Sequence, residues 1–353
     1  MYKFNSFFFL LFILAFFIIE TPSYAIQQNH QVTSVIIDTD MAFDDWGAIL
    51  YLLNNKDVQV KGITVSGTGE AHCDRASGNL AGAVNALRLI DLAGKQNFNI
   101  PVACGQSIPT QGHHVFPTSW RTHVDTLAGI FLPQSKSKPF SGDAAELIIS
   151  LLEKSREKIK IVELGPLTNL GVVLQKRPDL ISHIDSIIIM GGAVHVPGNL
   201  KDPTSPISNN QFAEWNIYVD PHAAQLVFKC GAPIKLISLD GTNHAPVTLN
   251  FIKQLKEHQH TASAQFFFNV LTRQSDFIKI GKAYFWDKLA ATILTHPSLC
   301  EFKLEPLLVT EGEGPESGRT YVDKVHGYPV YVCTKAQGDK FQGLFLRTIN
   351  NVA

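Results

Sequence analysis

The chain has 353 residues, with 30 Lys and Arg against 31 Asp and Glu and a formal net charge of −1. That balance argues against the basic footprint of a nucleic-acid binder and against a polybasic membrane patch. Hydrophobic residues make up 45% and charged residues 17%, too apolar for intrinsic disorder. The five cysteines are widely spaced and hold no CxxC pair, which predicts neither a disulfide scaffold nor a structural zinc module.

In chain order, the first element is a targeting segment. Lys3 precedes an apolar run over 7–19, and Ser23-Tyr24-Ala25 supplies a small-x-small cleavage pattern. The run is shorter than the roughly 20 residues a spanning helix needs. A signal peptide over 1–25 is therefore expected rather than a retained anchor. The mature chain, 26–353, is expected to be a single soluble domain that is exported, either periplasmic or secreted.

Short β-branched runs then alternate with amphipathic stretches. A strand over 35–37 runs into acidic residues, and a helix follows with Ile49, Leu52 and Leu53 on one face. A strand over 58–65 precedes a helix over 76–93 closed by Gly94. A strand over 100–103 leads to Gly105 and a polar, histidine-bearing loop to about 138. Asp143-x-x-Glu146 reads as a capping box opening a helix to about 155. Strand 159–164, helix 167–174 and strand 184–190 come next, the last ending at Gly191-Gly192. A Pro-, Gly-, Asn- and Ser-rich loop covers 193–211. Asp220-Pro221 starts a helix to about 228, with Pro in its first turn. A strand over 234–239, helices over 247–257 and 262–280, strands over 307–309 and 330–333 and a helix over 338–348 complete the chain. The pattern predicts an α/β fold: an open, mostly parallel sheet with helices on both faces.

In such sheets ligands bind at the carboxyl ends of the strands. There the chain reads Asp38-Thr39-Asp40-Met41-Ala42-Phe43-Asp44-Asp45. Acids favour a helix start, and surplus surface acids are the plain reading. Four carboxylates in so short a run also repel one another, which calls for a hard cation. Calcium takes six to eight oxygens, including bidentate carboxylates and carbonyls, whereas magnesium usually keeps several waters.

The Asp-Thr-Asp-x-x-x-Asp-Asp run resembles the signature of the inosine-uridine-preferring nucleoside hydrolases. Leu164-Gly165-Pro166-Leu167-Thr168-Asn169, then Met190-Gly191-Gly192, are similar to that family's second and third loops. Asn199, Glu214-Trp215-Asn216 and Asp220-Pro221 resemble its sugar-binding segment, and Trp286-Asp287 its last metal-binding position. The resemblance implies an N-ribosyl hydrolase holding one calcium ion, with a small nucleoside as substrate and a homodimer or homotetramer as the assembly. Carried over by residue, Asp40 and Asp45, the Leu164 carbonyl and Asp287 would ligate calcium. Asp40 would also be the catalytic base, and Asp38 would fix neighbouring groups. Asp44, Asn199, Glu214 and Asn216 would hold ribose hydroxyls.

Two departures bear on base preference. Gly67-Thr68-Gly69 stands where pyrimidine-using members carry an Asn, and Trp286 stands where they carry a histidine acid. The purine-preferring branch resembles this chain at Trp286, which would stack on the base. Trp120, in the loop after the third strand, is a second stacking candidate or a loop anchor. His113, His114 and His123 in that loop read as solvated. His72 and Cys73 are placed to border the pocket, and Cys230 and Cys300 read as small core residues. Two rival functions remain: an aspartate-based phosphohydrolase of the haloacid dehalogenase type, and a non-catalytic exported nucleoside-binding protein.

Overall fold

Runs such as Val35-Ile36-Ile37 and Ile187-Ile188-Ile189 carry no polar alternation, the mark of strands buried on both faces. The computed structural model describes residues 1–2, 32–201 and 209–351, so residues 3–25 of the expected signal peptide and 202–208 of the loop lie outside it. Nine strands form one sheet: β1 Thr33–Thr39, β2 Val58–Val65, β3 Val102–Cys104, β4 Ile159–Glu163, β5 Ile184–Met190, β6 Ile234–Ile237, β7 Cys300–Val309, β8 Thr320–Val322 and β9 Tyr328–Ala336. Their order is β3-β2-β1-β4-β5-β6-β9-β7-β8. Every pairing from β3 to β9 is parallel, and only β7 runs antiparallel, to β9 and β8.

Successive side chains of β1 feed opposite cores. Val35 and Ile37 join the cluster built with helices Asp45–Asn54, Trp286–Thr295 and Gly338–Ile349. Ile36 joins the cluster built with Ala144–Lys154, Thr168–Lys176 and Pro221–Lys229. The sheet is thus covered on both faces, and Val32–Ala353 forms one compact unit. From β1 the chain moves to β2 and β3 on one side and then crosses to β4 on the other. That reversal opens a crevice at the carboxyl ends of β1 and β4, where both neighbouring loops turn away.

Several boundaries differ from the sequence reading. The helix expected over 76–93 starts at Ala81, because Asp74 pairs with Asn79 and its carboxylate caps the Ala76 N–H. The stretch over 262–280 breaks at Gln274 into Ala262–Arg273 and Ser275–Lys279. The loop after β3 contains a helix, Thr118–Asp125, so Trp120 is a helical residue. Helix Trp286–Thr295 and strand β8 had no expected counterpart, and β7 extends well beyond 307–309. The Asp143–Glu146 capping box forms in both directions, at 2.7 and 3.0 Å. No helix among the described residues is long and apolar enough to cross a membrane.

The cysteines also need correction. Cys73 is bonded to Cys104 and Cys300 to Cys333, leaving Cys230 as the free thiol. Each pair joins segments brought together by the sheet, with sequence separations of 31 and 33, which local spacing could not reveal.

Candidate active site

The loop leaving β1 is held by its own polar groups. Met41 adopts φ 59°, a left-handed conformation costly for a branchless but bulky side chain. Neighbouring bonds impose it: Met41 N–H donates to Thr39 Oγ1 at 3.0 Å, and Trp46 Nε1 donates to the Met41 carbonyl at 2.8 Å. Asp40 Oδ1 accepts from Ala42 N–H at 3.1 Å, while the Asp40 N–H donates to Asp45 Oδ1 at 3.2 Å. Thr39 Oγ1 donates to the same Asp45 oxygen. Two glycines allow the surrounding loops to close on Asp40. A Cβ at Gly69 would stand 2.0 Å from Asp40 Cβ, and one at Gly165 2.7 Å from it.

Asp45 and Asp287 are 0% and 1% exposed, and Asp40 only 2%. One ligand oxygen from each of Asp44, Asp45 and Asp287 lies within 4.8 Å of the others. Burial pushes the Asp45 and Asp287 carboxyls well above their usual range, and the neighbouring carboxylates add to it. Asp40 is pushed up to about 6, by burial first and then by the Asp44 charge. Lys288, buried beside them, is pushed down by the same desolvation. Asp45 Oδ2 and Asp287 Oδ1 are buried without a hydrogen-bond partner. Unpaired carboxylate oxygens at such depth are costly unless a cation meets them. An all-oxygen donor set with orphaned lone pairs fits a hard divalent ion.

Behind this cluster Asp38 takes hydrogen bonds from Thr64 Oγ1 at 2.9 Å and Asn169 Nδ2 at 2.8 Å. It is in register with Glu163 across β1 and β4. Burial and then the Asp38 charge push Glu163 well above the carboxylate range, and burial raises Asp38 to about 7 as well. Sequence reasoning missed Glu163, since an acid within an apolar run carries no motif.

On the opposite wall, Glu214 caps helix Trp215–Val219, accepting from the Asn216 and Ile217 N–H groups at 3.0 and 3.2 Å and from Gly192 N–H at 3.0 Å. Burial nevertheless pushes it up to about 7. Asn216 Nδ2 donates to the Leu164 carbonyl at 3.1 Å and to the Met190 carbonyl at 3.2 Å. Asn199 Oδ1 accepts the Trp215 N–H at 3.1 Å.

Aromatic groups complete the walls. Trp286 lies 5.9 Å from Tyr284 and 6.4 Å from Phe277, ring centre to ring centre. Trp120 lies 5.2 Å from Trp215 and 6.4 Å from Phe116. The helix bearing Trp120 is tied to the loop after β2, where Arg121 Nη2 donates to the Gly67 carbonyl at 2.9 Å and His72 Nδ1 meets Asp125 Oδ2 at 2.7 Å. One cavity of about 690 Å³ is lined by Asp40, Asp44, Asp45, Leu164, Asn199, Glu214, Asn216, Trp120, Trp286 and Asp287. All the expected site residues therefore converge, although they come from six separate segments of chain. Glu70 and His123 line it as well. His114 is not solvated as expected: it is 11% exposed, stacks on Tyr218 at 4.0 Å and pairs with Glu313 at 3.0 Å.

The family model described as inosine-uridine preferring nucleoside hydrolase matches residues 35–343. The chain belongs to that family. A probable uridine nucleosidase 1 of Oryza sativa subsp. japonica is 29% identical over 302 residues, covering 84% of this chain and 87% of the plant protein. A pyrimidine-specific ribonucleoside hydrolase of Photobacterium profundum is 33% identical over 224 residues, 63% of this chain and 66% of that enzyme. Among solved structures, a purine-preferring ribonucleoside hydrolase from Gardnerella vaginalis superposes with a TM-score of 0.76 at 26% identity, covering 91% of this chain and 99% of that one. This nucleoside hydrolase thus has relatives named for both base classes, and its fold and its reaction class, hydrolysis of a nucleoside's N-glycosidic bond, follow from membership.

Proposed function

We propose that this nucleoside hydrolase is an exported, calcium-dependent enzyme that cleaves purine ribonucleosides faster than pyrimidine ones. The observation that carries the reading is the convergence of Asp40, Asp45, Asp287, Asn216 and Trp286 on one cavity. Calcium would be held by Asp40, Asp45, Asp287 and the Leu164 carbonyl, where it would supply the positive charge that orients and acidifies a water. Asp40 takes the proton from the attacking water as the bond to the sugar forms. Burial raises its carboxyl to about 6 in the metal-free site, and a carboxylate within reach of the attacking water can accept its proton. Asp44, Asn199, Glu214 and Asn216 hold the ribose hydroxyls, which need both donors and acceptors. The bond from sugar to base breaks, and the sugar passes through an oxocarbenium-like state stabilised by the surrounding carboxylates.

Departure of the base requires charge to be neutralised on its ring. Stacked on the Trp286 indole, a purine that takes a ring proton from solvent as it leaves would gain the attraction of about 0.5–2 kcal/mol found in ordinary cation–π pairs. The wide aromatic wall of Trp286, Tyr284 and Phe277 supports the larger base. Disulfides persist in oxidising compartments, so the two cysteine pairs support export alongside the signal peptide expected over 1–25. A homodimer or homotetramer is proposed from the family resemblance.

The test is a matched time course of free-base release from inosine, guanosine and uridine. Faster hypoxanthine and guanine release is expected. Uridine hydrolysed fastest would defeat the purine reading, and release of base from none of them would leave a nucleoside-binding protein.

A further inference from the structure

Beneath the acidic cluster lies a buried cation that the proposed chemistry does not use. Lys288 follows Asp287 in the first turn of helix Trp286–Thr295 and is 2% exposed. Its stem crosses helix Asp45–Asn54 at Gly47, where an added Cβ would stand 3.0 Å from Lys288 Cδ and 2.9 Å from Phe267 Cε2. Glycine at that position leaves the passage open. The ammonium then donates to the Asp44 carbonyl at 2.9 Å and lies 6.0 Å from the centre of the Phe267 ring. A lysine this deep is tolerated only when paired; its ammonium holds the Asp44 carbonyl and its chain neighbour is Asp287, and these two residues form the carboxylate cluster with Asp45.

We propose that Lys288 is a built-in counter-cation: it offsets the carboxylates while the site holds no metal and thereby weakens their affinity for a divalent ion. The inference rests on reading the cluster as a divalent-cation site. In the empty site the ammonium attracts three crowded anions that otherwise only repel one another. Once a divalent ion enters, the same fixed charge repels it across a poorly screened interior. Lys288 therefore trades metal affinity for stability of the metal-free fold, so the chain can fold before its ion arrives. A lysine that served only to hold the Asp44 carbonyl would act differently, since its loss would loosen the loop and weaken binding.

The experiment compares the wild-type protein with K288Q and K288M after treatment with chelator. Calcium chloride is titrated calorimetrically into each, and melting temperatures are read in chelator and in calcium. Both variants are expected to bind calcium at least about tenfold more tightly than wild type. Their melting temperatures should fall further in chelator than in calcium. A K288M that folds only in calcium supports the proposal in the same sense. Unchanged or weaker calcium binding in K288Q overturns it, as do variants that lose as much stability in calcium as in chelator. Wild-type protein that binds no divalent ion would instead defeat the metal-site reading, and this inference with it.

Discussion

The floor and the rim of the cavity are built differently. The floor is assembled at strand ends: Asp40 just after β1, Leu164 after β4, Met190 at the end of β5. Its carboxylates are almost completely buried and held by backbone N–H groups and by glycine contacts that leave no room for a side chain. The rim is built of half-buried aromatic rings on helices and connecting loops, held by a few polar contacts such as Arg121 to Gly67. Positions fixed by a sheet suit bond-breaking chemistry, which needs precise placement, whereas a ring wall tolerates variation in the base it meets.

The contrast can be broken first at the floor. Asp40→Ala should lower kcat by about 10²–10⁴-fold, the usual range for loss of a general base, with the fold retained. Circular dichroism and steady-state kinetics check it, and a loss confined to KM would move Asp40 out of the chemistry. Removal of the Cys73–Cys104 bridge by a double Cys→Ala change should cost about 2–4 kcal/mol of stability. That loop hydrogen-bonds Asp40 through the Glu70 and Ala71 N–H groups rather than through the bridge itself, so kcat should change far less than in Asp40→Ala. Denaturant melts beside kinetics separate the two effects.

At the rim, Trp286→Ala should slow purine nucleosides by about two- to thirtyfold, the loss of one ring–cation contact. An activated substrate such as p-nitrophenyl riboside, whose leaving group needs no protonation, should be nearly unaffected. Equal losses on both would assign Trp286 to pocket shape alone.

The most diagnostic effect is on the pH dependence of the metal-free protein. Asp40 and Glu214 are raised to about 6 and about 7 from ordinary values of 3.8 and 4.5. The native state therefore binds more protons than the unfolded chain between those values. Stability should fall as pH rises from about 4 to about 7. Calcium should restore stability at the upper end, where the carboxylates are ionised. Melting curves in chelator that stay flat or rise across this window would contradict the burial argument.

The floor was legible in the sequence because strand ends announce themselves: an apolar run followed at once by acids or glycines. Asp40, Asp45 and Leu164 all follow that rule. Asp287 was legible only through family resemblance, because its helix, Trp286–Thr295, follows a broken helical stretch and was not expected. Glu70, Glu163 and Lys288 were silent for a different reason. Each is ordinary in its local stretch of sequence and gains meaning only from residues far along the chain, as Lys288 does from Asp44 and Gly47. The disulfides share that property, since sheet order rather than spacing brings their cysteines together.

The central claim is that the buried carboxylates hold a divalent ion on which N-glycosidic hydrolysis depends. Its most direct test is hypoxanthine release from inosine by one preparation, assayed as purified, after exhaustive chelation and after calcium is returned, with metal content measured at each stage. About one calcium per chain, activity lost with the metal and regained with it, is the predicted result. Full activity in protein shown by elemental analysis to be free of metal would contradict the account.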